Sequence, residues 1–156
     1  MNDRNHKPAV VQPGDGRKIM VLGMEVTVEL SSAETNGVFY VFEAVIAPGD
    51  RVPPHVHSRE DEIPQVLAGE LDVYLGGETL KVLAGGFAFF PRNIVHGFSN
   101  TGKTPAKVRF LVSPGANFEK FFGELSALPA NQPPDMAKVT KIFDHYGLPL
   151  VTEPAS

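Results

Sequence analysis

Closely spaced glycines and prolines divide the first two thirds of this chain into short segments rich in Val, Phe, Leu and Tyr. The sequence contains 15 Gly and 14 Pro among its 156 residues. Short β-prone segments bounded by turn residues are typical of all-β domains. They predict strands near residues 18–30, 36–46, 52–57, 62–68, 70–75, 78–83, 86–90, 95–99 and 105–113. We therefore expect an all-β fold.

Turn residues define several of the strand boundaries. The run Ala47-Pro48-Gly49-Asp50 places Pro and Gly at the two central positions of a type II turn. Gly76 and Gly77 form a two-residue loop between two strand-like runs, which predicts a β-hairpin.

Beyond Gly115 the spacing of apolar residues changes from two to about three and a half residues, which indicates amphipathic helices. The first helix has Asn117 as its predicted N-cap and presents Phe118, Phe121, Phe122 and Leu125. The second has Asp135 as its cap, ends at Gly147, and presents Val139, Ile142, Phe143 and Tyr146. Both are short and apolar on one side, so we expect them to pack on the β domain or on a second subunit.

The chain is thus predicted to have three parts. Residues 1–16 are polar and form a flexible N-terminal arm, residues 17–114 form the β domain, and residues 115–156 form a C-terminal helical extension.

Charge and composition exclude several classes of function. There are 14 Lys and Arg against 18 Asp and Glu, so the net charge is −4, and no basic cluster is present. We therefore expect no nucleic-acid partner and no membrane partner. The absence of Cys excludes disulfides, thiolate nucleophiles and Cys-based metal sites. The sequence shows no apolar leader and no spanning segment, which predicts a cytoplasmic location.

Histidines lie at or beside the ends of predicted strands. His55 and His57 are two residues apart, so on a strand both imidazoles point to one face. The polar residues 58–61 indicate a turn that returns the chain with Glu62 facing the histidines. A third imidazole, His96, follows a tight reversal at residues 91–95. A lone buried histidine is usually a structural residue, but this pattern favours a metal site.

The same residues resemble the two conserved motifs of the cupin superfamily. The first motif is matched by Gly49, His55, His57, Glu62 and Gly69, and the second by Gly85, Pro91, His96 and Asn100. The resemblance implies a double-stranded β-helix, which is a small jelly-roll barrel, over residues 17–114. It also implies a metal held inside one end of the barrel by His55, His57, Glu62 and His96.

Two positions depart from the usual cupin pattern. Asn93 stands where the second motif usually has Gly, and Asn tolerates the left-handed conformation that such a turn needs. Many relatives carry aromatic residues after the ligand glutamate, whereas Ile63-Pro64-Gln65-Val66 follows Glu62 in this chain. Alternation from Glu62 predicts that Pro64 and Val66 face the cavity and Gln65 faces away. Because proline lacks a backbone N–H, we expect this strand to lie at a sheet edge or to be irregular.

Three imidazoles and one carboxylate suit one divalent transition metal per chain, whether Fe, Mn, Ni, Co, Cu or Zn. On an octahedral ion these four ligands leave two positions for water, dioxygen or a chelating substrate. Glu62 could therefore act both as a ligand and as the catalytic base that accepts a proton from a substrate hydroxyl, the role that the resemblance to quercetinase-like enzymes implies.

The resemblance to small quercetin 2,3-dioxygenase-like proteins implies a metal-dependent dioxygenase acting on an aromatic or enolic small molecule that chelates the metal. An isomerase or decarboxylase using the same site is one alternative. A non-enzymatic cupin that binds a small ligand is another. The complete ligand set favours an enzyme with a small-molecule substrate.

Three further expectations concern the surroundings of the site and the assembly. Residues 59–61 are interpreted as an exposed turn. About half of a set of four phenylalanines should line a dry pocket around the metal, the set being Phe87, Phe89, Phe98 and Phe110. The segment 38–46 is apolar on both strand faces apart from Glu43. Its outer face needs cover from the helices or a partner, which predicts a homodimer.

Overall fold

A computed structural model describes residues 7–151 and contains nine β-strands followed by two α-helices within that range. The strands are β1 (Arg17–Val21), β2 (Met24–Leu30), β3 (Tyr40–Ile46), β4 (Arg51–His55), β5 (Asp61–Ala68), β6 (Glu70–Leu75), β7 (Glu78–Leu83), β8 (His96–Ser99) and β9 (Ala106–Ser113). The helices are α1 (Ala116–Ser126) and α2 (Met136–His145), and a short 3-10 helix spans Ser32–Thr35. Neither α-helix of this described part is long and apolar enough to cross a membrane.

The strands form two antiparallel sheets. One has the order β1-β2-β3-β9-β5 and the other the order β4-β8-β6-β7. Alternate side chains of the central strands β3 and β9 point into the core, as the period of two requires: Tyr40, Phe42, Ala44, Ile46, Val108, Phe110 and Val112 are all buried. This architecture confirms the predicted all-β double-stranded β-helix with two short C-terminal helices.

Residues 7–16 are exposed and contain no strand or helix. Residues 1–6 of the predicted arm and residues 152–156 of the predicted helical extension lie outside the described residues.

Two predicted strands differ from those observed. Residues 18–30 form the β1–β2 hairpin, because Leu22 and Gly23 take positive φ angles of 48° and 82° and reverse the chain. Residues 86–90 run beside β5 through isolated bridges only, one joining Glu62 to Phe90 and one joining Gln65 to Phe87. Pro64 lies between those bridges and cannot donate a backbone hydrogen bond, which interrupts the ladder. The expected edge position of β5 is confirmed.

The predicted turns are confirmed. Gly49 has a φ of 90°, and the Asp50 N–H donates to the Ala47 carbonyl at 3.0 Å. Gly76 and Gly77 both have positive φ and join β6 to β7 in register. Asn93 takes the left-handed conformation with φ of 66°, as expected for the substituted glycine position.

The C-terminal helices pack over one opening of the barrel, with Phe118, Phe121, Phe122 and Leu125 of α1 and Val139 and Phe143 of α2 buried. Phe122 packs on Phe42 of β3 with a ring separation of 4.7 Å. Beyond Gly147, Leu148 is fully buried. The extension therefore packs on the barrel within a single chain.

The predicted helix caps are half right. Asp135 caps α2, because its Oδ1 accepts the Ala137 N–H at 3.0 Å and the Lys138 N–H at 3.4 Å. The N-cap of α1 is Gly115, so the prediction of Asn117 was wrong by two residues. The Asn117 side chain is turned away from its own helix to reach other elements, as described below.

The segment predicted to drive dimerisation is β3, in the middle of the five-stranded sheet. On its outer face, Glu43 pairs with Arg109 at 2.7 Å and with Lys107 at 3.3 Å, so ionic side chains cover part of it. Val45 on the same face is exposed. The homodimer stays a prediction.

Candidate metal centre

Two sheets and one loop bring the four predicted ligands together. His55 ends β4 and pairs directly with His96 at the start of β8, while Glu62 lies on β5 of the other sheet. His57 lies in the loop between β4 and β5. All four side chains are buried.

The donor atoms of these side chains converge on one point. His55 Nε2 lies 3.0 Å from His57 Nε2, and one ring nitrogen from each of the three histidines falls within 4.8 Å of the other two. Glu62 Oε2 lies 3.3 Å from His57 Nε2 and 3.5 Å from His96 Nε2. Three nitrogens and one carboxylate oxygen therefore face a common centre.

Backbone carbonyls define which nitrogen of two of the histidines faces that centre. The Nδ1 of His55 is 2.8 Å from the Pro53 carbonyl, and the Nδ1 of His96 is 3.1 Å from the Ile94 carbonyl. A carbonyl only accepts, so each Nδ1 carries the proton and each Nε2 presents its lone pair. The Nε2 of His96 is buried and has no hydrogen-bond partner. A cation at the centre would satisfy it, so the donor set fits a metal.

Burial keeps two of the imidazoles neutral. Loss of solvent, together with the neighbouring His57 and His96, lowers the pKa of His55 from 6.5 to about 3. Loss of solvent and the nearby His96 also hold the pKa of His57 well below its usual value. Only the neutral ring has a lone pair for a metal, so both residues are ready to coordinate at neutral pH.

Glu62 is held in place through its backbone. Its N–H donates to the Phe90 carbonyl at 3.0 Å, and its carbonyl accepts the Phe90 N–H at 2.8 Å. Phe90 is fully buried and its ring stacks on the His96 ring with a separation of 4.3 Å. One residue of the 86–90 segment therefore supports two of the four candidate ligands.

The turn between the histidines and Glu62 is not wholly exposed, which corrects the prediction for residues 59–61. Asp61 forms a partly exposed ion pair with Arg92 at 3.1 Å. Glu60, in contrast, has no solvent exposure, and burial raises its pKa. Its Oε1 accepts a hydrogen bond from Asn117 at 2.7 Å. Counting back by two from Glu62 places Glu60 on the inward face, which is the sequence pattern that could have identified it.

A cavity extends from the metal-facing donors into the barrel. Its volume is about 150 Å³, and His55, His57 and Glu62 lie at its polar end. Its other walls are largely apolar and include Phe42, Phe98, Phe110, Phe118, Phe121, Phe122 and Phe143. Phe98 and Phe110 thus line it, as expected for half of the four phenylalanines. Phe87 and Phe89 are 66% and 51% exposed.

Comparison with known proteins gives a consistent assignment. A family model described as Cupin domain matches residues 42–113. The chain is 34% identical over 109 residues to germin-like protein subfamily 2 member 2 of Arabidopsis thaliana, covering 65% of this chain and 47% of the relative. It is 28% identical over 118 residues to quercetin 2,3-dioxygenase of Bacillus subtilis, covering 76% of this chain and 34% of the enzyme. The chain therefore spans less than half the length of these two curated relatives.

A solved structure agrees with the sequence comparisons. The crystal structure of a predicted oxalate decarboxylase from Thermotoga maritima superimposes with a TM-score of 0.60 at 26% identity. The match covers 67% of this chain and 98% of that protein.

Proposed function

This chain belongs to the cupin superfamily, and on that premise we propose that it is a metal-dependent dioxygenase acting on a small aromatic or enolic compound that chelates the metal. One observation carries the proposal: three imidazole nitrogens and the Glu62 carboxylate converge, and two of these histidines and Glu62 line a largely apolar cavity. A site with metal ligands and an adjoining, largely apolar cavity has the parts that a catalytic metal centre needs.

The ligands proposed for one divalent ion are His55, His57, Glu62 and His96. This mixed nitrogen and oxygen set suits Fe, Mn, Ni, Co, Cu or Zn. A bound ion would supply Lewis acidity toward substrate oxygens and, for a redox-active metal, electron transfer to dioxygen.

Glu62 is proposed as the base. Its carboxylate lies at the cavity wall beside the donor atoms, so it can accept the proton of a substrate hydroxyl placed there. The buried phenylalanines would exclude water and hold an aromatic ring by stacking or edge contacts.

The cavity restricts the size and charge of the substrate. A cavity of about 150 Å³ accommodates a molecule of roughly the size of benzene. A flavonol has three rings and is larger than this volume. Arg51, itself solvent-exposed, is the only cationic side chain of the described residues that line the cavity. We therefore favour a single-ring hydroxy-ketone or ortho-dihydroxy compound over a phosphorylated one.

An isomerase or decarboxylase is the second candidate, because the same ligands can support Lewis-acid chemistry without dioxygen. The similarity to a predicted oxalate decarboxylase favours it. A small-ligand-binding cupin is the third. The cytoplasmic location and the lack of nucleic-acid and membrane partners stay predictions from the sequence.

Metal analysis of the purified protein is the first experiment. We expect about one divalent ion per chain in the wild type and in His145→Ala, a matched control outside the site. His96→Ala should lose the ion, because it removes a ligand that faces the centre. Equal metal content in the two variants would refute the metal centre.

Substrate class and reaction type need a second experiment. Oxygen uptake is measured with single-ring enols and, in parallel, with flavonols. Uptake with the smaller compounds supports the dioxygenase. Turnover without oxygen uptake would support the isomerase or decarboxylase, and ligand-dependent thermal stabilisation without turnover would support the binder.

A further inference from the structure

A polar cluster joins the metal-ligand loop to both C-terminal helices. Asn117, in the first turn of α1, donates from Nδ2 to Glu60 Oε1 at 2.7 Å and to the Tyr146 carbonyl at 2.9 Å. Its Oδ1 accepts from Arg59 Nη1 at 2.9 Å. We call Arg59, Glu60, Asn117 and the Tyr146 carbonyl the Asn117 cluster. It connects the loop that carries His57 with the start of α1 and the end of α2.

Two buried atoms at the edge of this cluster lack hydrogen-bond partners. They are His57 Nδ1 and Glu60 Oε2, which lie 4.0 Å apart. The two side chains are 1% and 0% exposed. Buried polar atoms are nearly always paired, and leaving one unpaired costs about 1–3 kcal/mol. A shift of about 1 Å would bring donor and acceptor within hydrogen-bond distance.

Metal coordination supplies a reason for that shift. A histidine that ligates through Nε2 carries its proton on Nδ1, and this N–H usually donates to a carboxylate or a carbonyl. Carbonyls fulfil this role for His55 and His96. Glu60 Oε2 is the acceptor that faces the Nδ1 of His57.

We propose, on the basis of the proposed metal centre, that Glu60 is a positioning residue that accepts the Nδ1–H of His57 when its Nε2 holds an ion. Through Asn117, Glu60 also couples ion binding to the seating of α1 and α2 over the cavity. Phe118 provides a second contact between α1 and His57, because its ring stacks on the His57 ring with a centroid separation of 5.5 Å.

The coupling follows from the shared carboxylate. One oxygen of Glu60 is held by α1 through Asn117 and the other faces His57, so neither contact can tighten without affecting the other. The end of α2 is joined to the same loop by Ser58, whose Oγ donates to the Gly147 carbonyl at 2.7 Å. An ion that orders His57 would therefore reduce opening of the helices, and the ordered helices would favour the ion to the same extent.

The test uses Co²⁺ alone as the probe, added to the metal-free full chain. Glu60→Gln keeps the oxygen that Asn117 contacts but replaces the acceptor facing His57 with an N–H donor. Asn117→Ala removes the link to the helices, and Asp61→Asn is the matched control because its side chain pairs with Arg92 outside the cluster. Circular dichroism verifies that each variant is folded.

Co²⁺ affinity is measured by competition with a chromogenic chelator. Glu60→Gln should weaken binding 10- to 100-fold, and Asp61→Asn should bind as the wild type does. In proton NMR of the Co²⁺ protein, one of the three shifted, exchangeable imidazole N–H signals should move in Glu60→Gln while the other two stay. This spectroscopic change distinguishes positioning of His57 from general destabilisation.

Hydrogen exchange measures the coupling to the helices. Co²⁺ should slow amide exchange of residues 116–126 and 136–145 in the wild type, and Asn117→Ala should lose at least half of that effect. Two outcomes would overturn only this inference, provided that the wild type binds Co²⁺. In one, Glu60→Gln binds Co²⁺ as tightly as the wild type; in the other, Co²⁺ does not change amide exchange of the helices. If the wild type binds no Co²⁺, the proposed metal centre is overturned as well.

Discussion

The metal-free protein should lose stability as the pH falls from 7.5 to 5, and His55 should cause a defined part of that loss. Burial lowers the pKa of His55 from 6.5 to about 3 in the folded protein. Between these values the unfolded chain binds a proton that the folded protein does not. Protons therefore favour the unfolded state, and the free energy of unfolding decreases as the pH falls through this window.

The magnitude follows from the two pKa values. At pH 5 the pH lies about 1.5 units below the pKa of the histidine in the unfolded chain. Protonation of that histidine then stabilises the unfolded state by about 2 kcal/mol. The folded state gains almost nothing, because pH 5 is still well above a pKa of about 3. His57 acts in the same direction, since its pKa is also lowered. The decrease for His55 alone is a sizeable fraction of the stability of an ordinary domain.

Urea unfolding in the presence of a chelator measures this decrease at pH 7.5, 6.5, 5.5 and 5.0. His55→Asn removes the titrating ring, so its stability should fall by about 2 kcal/mol less than that of the wild type over this range. His145→Asn, outside the site, is the matched control. Parallel pH profiles for the wild type and His55→Asn would refute the reasoning.

Four other outcomes are expected. Glu62→Gln should lower turnover by a larger factor than it lowers metal content, because an amide cannot accept the proton. Steady-state kinetics and metal analysis measure the two quantities, and an unchanged turnover would contradict this prediction. Phe122→Ala should cost about 3–5 kcal/mol of unfolding free energy, because a buried aromatic ring leaves a cavity, and a loss below about 1 kcal/mol in urea would be inconsistent with the packing of α1. Asp135→Ala should destabilise the protein by about 1 kcal/mol by removing the α2 cap, and an unchanged urea midpoint would count against it. Sedimentation equilibrium should give the mass of a homodimer, and a monomer at every concentration would disprove that prediction.

Much of the fold was predictable because its local patterns agree with its global arrangement. Gly49 and the pair Gly76-Gly77 take the conformations that their turns require. Pro64 indicated an edge strand because it cannot donate to a second neighbour, and β5 is indeed at the edge. The same proline interrupts the pairing of β5 with residues 86–90. The composition of that segment predicted a strand, but the segment forms only isolated bridges.

The parts of the site that were not predicted depend on contacts between distant elements. Glu60 and Asn117 are 57 residues apart, and their hydrogen bond forms only when α1 is packed on the barrel. Asn is a preferred N-cap residue, and Asn117 stands just before the apolar face of α1, so it satisfied the local rule for an N-cap. Its side chain instead satisfies groups on two other elements, which no local pattern reports.

The positions of the four donors have a consequence for the whole molecule. His55 and His96 belong to one sheet and Glu62 to the other, so an ion bound by them would act as a crosslink between the two layers of the barrel. Separating the layers would require the ion to be released. At a free ion concentration one hundred times the dissociation constant, such a crosslink would add about 2.7 kcal/mol to the free energy of unfolding. The supply of metal in the surroundings would then set the fraction of chains that are unfolded at equilibrium.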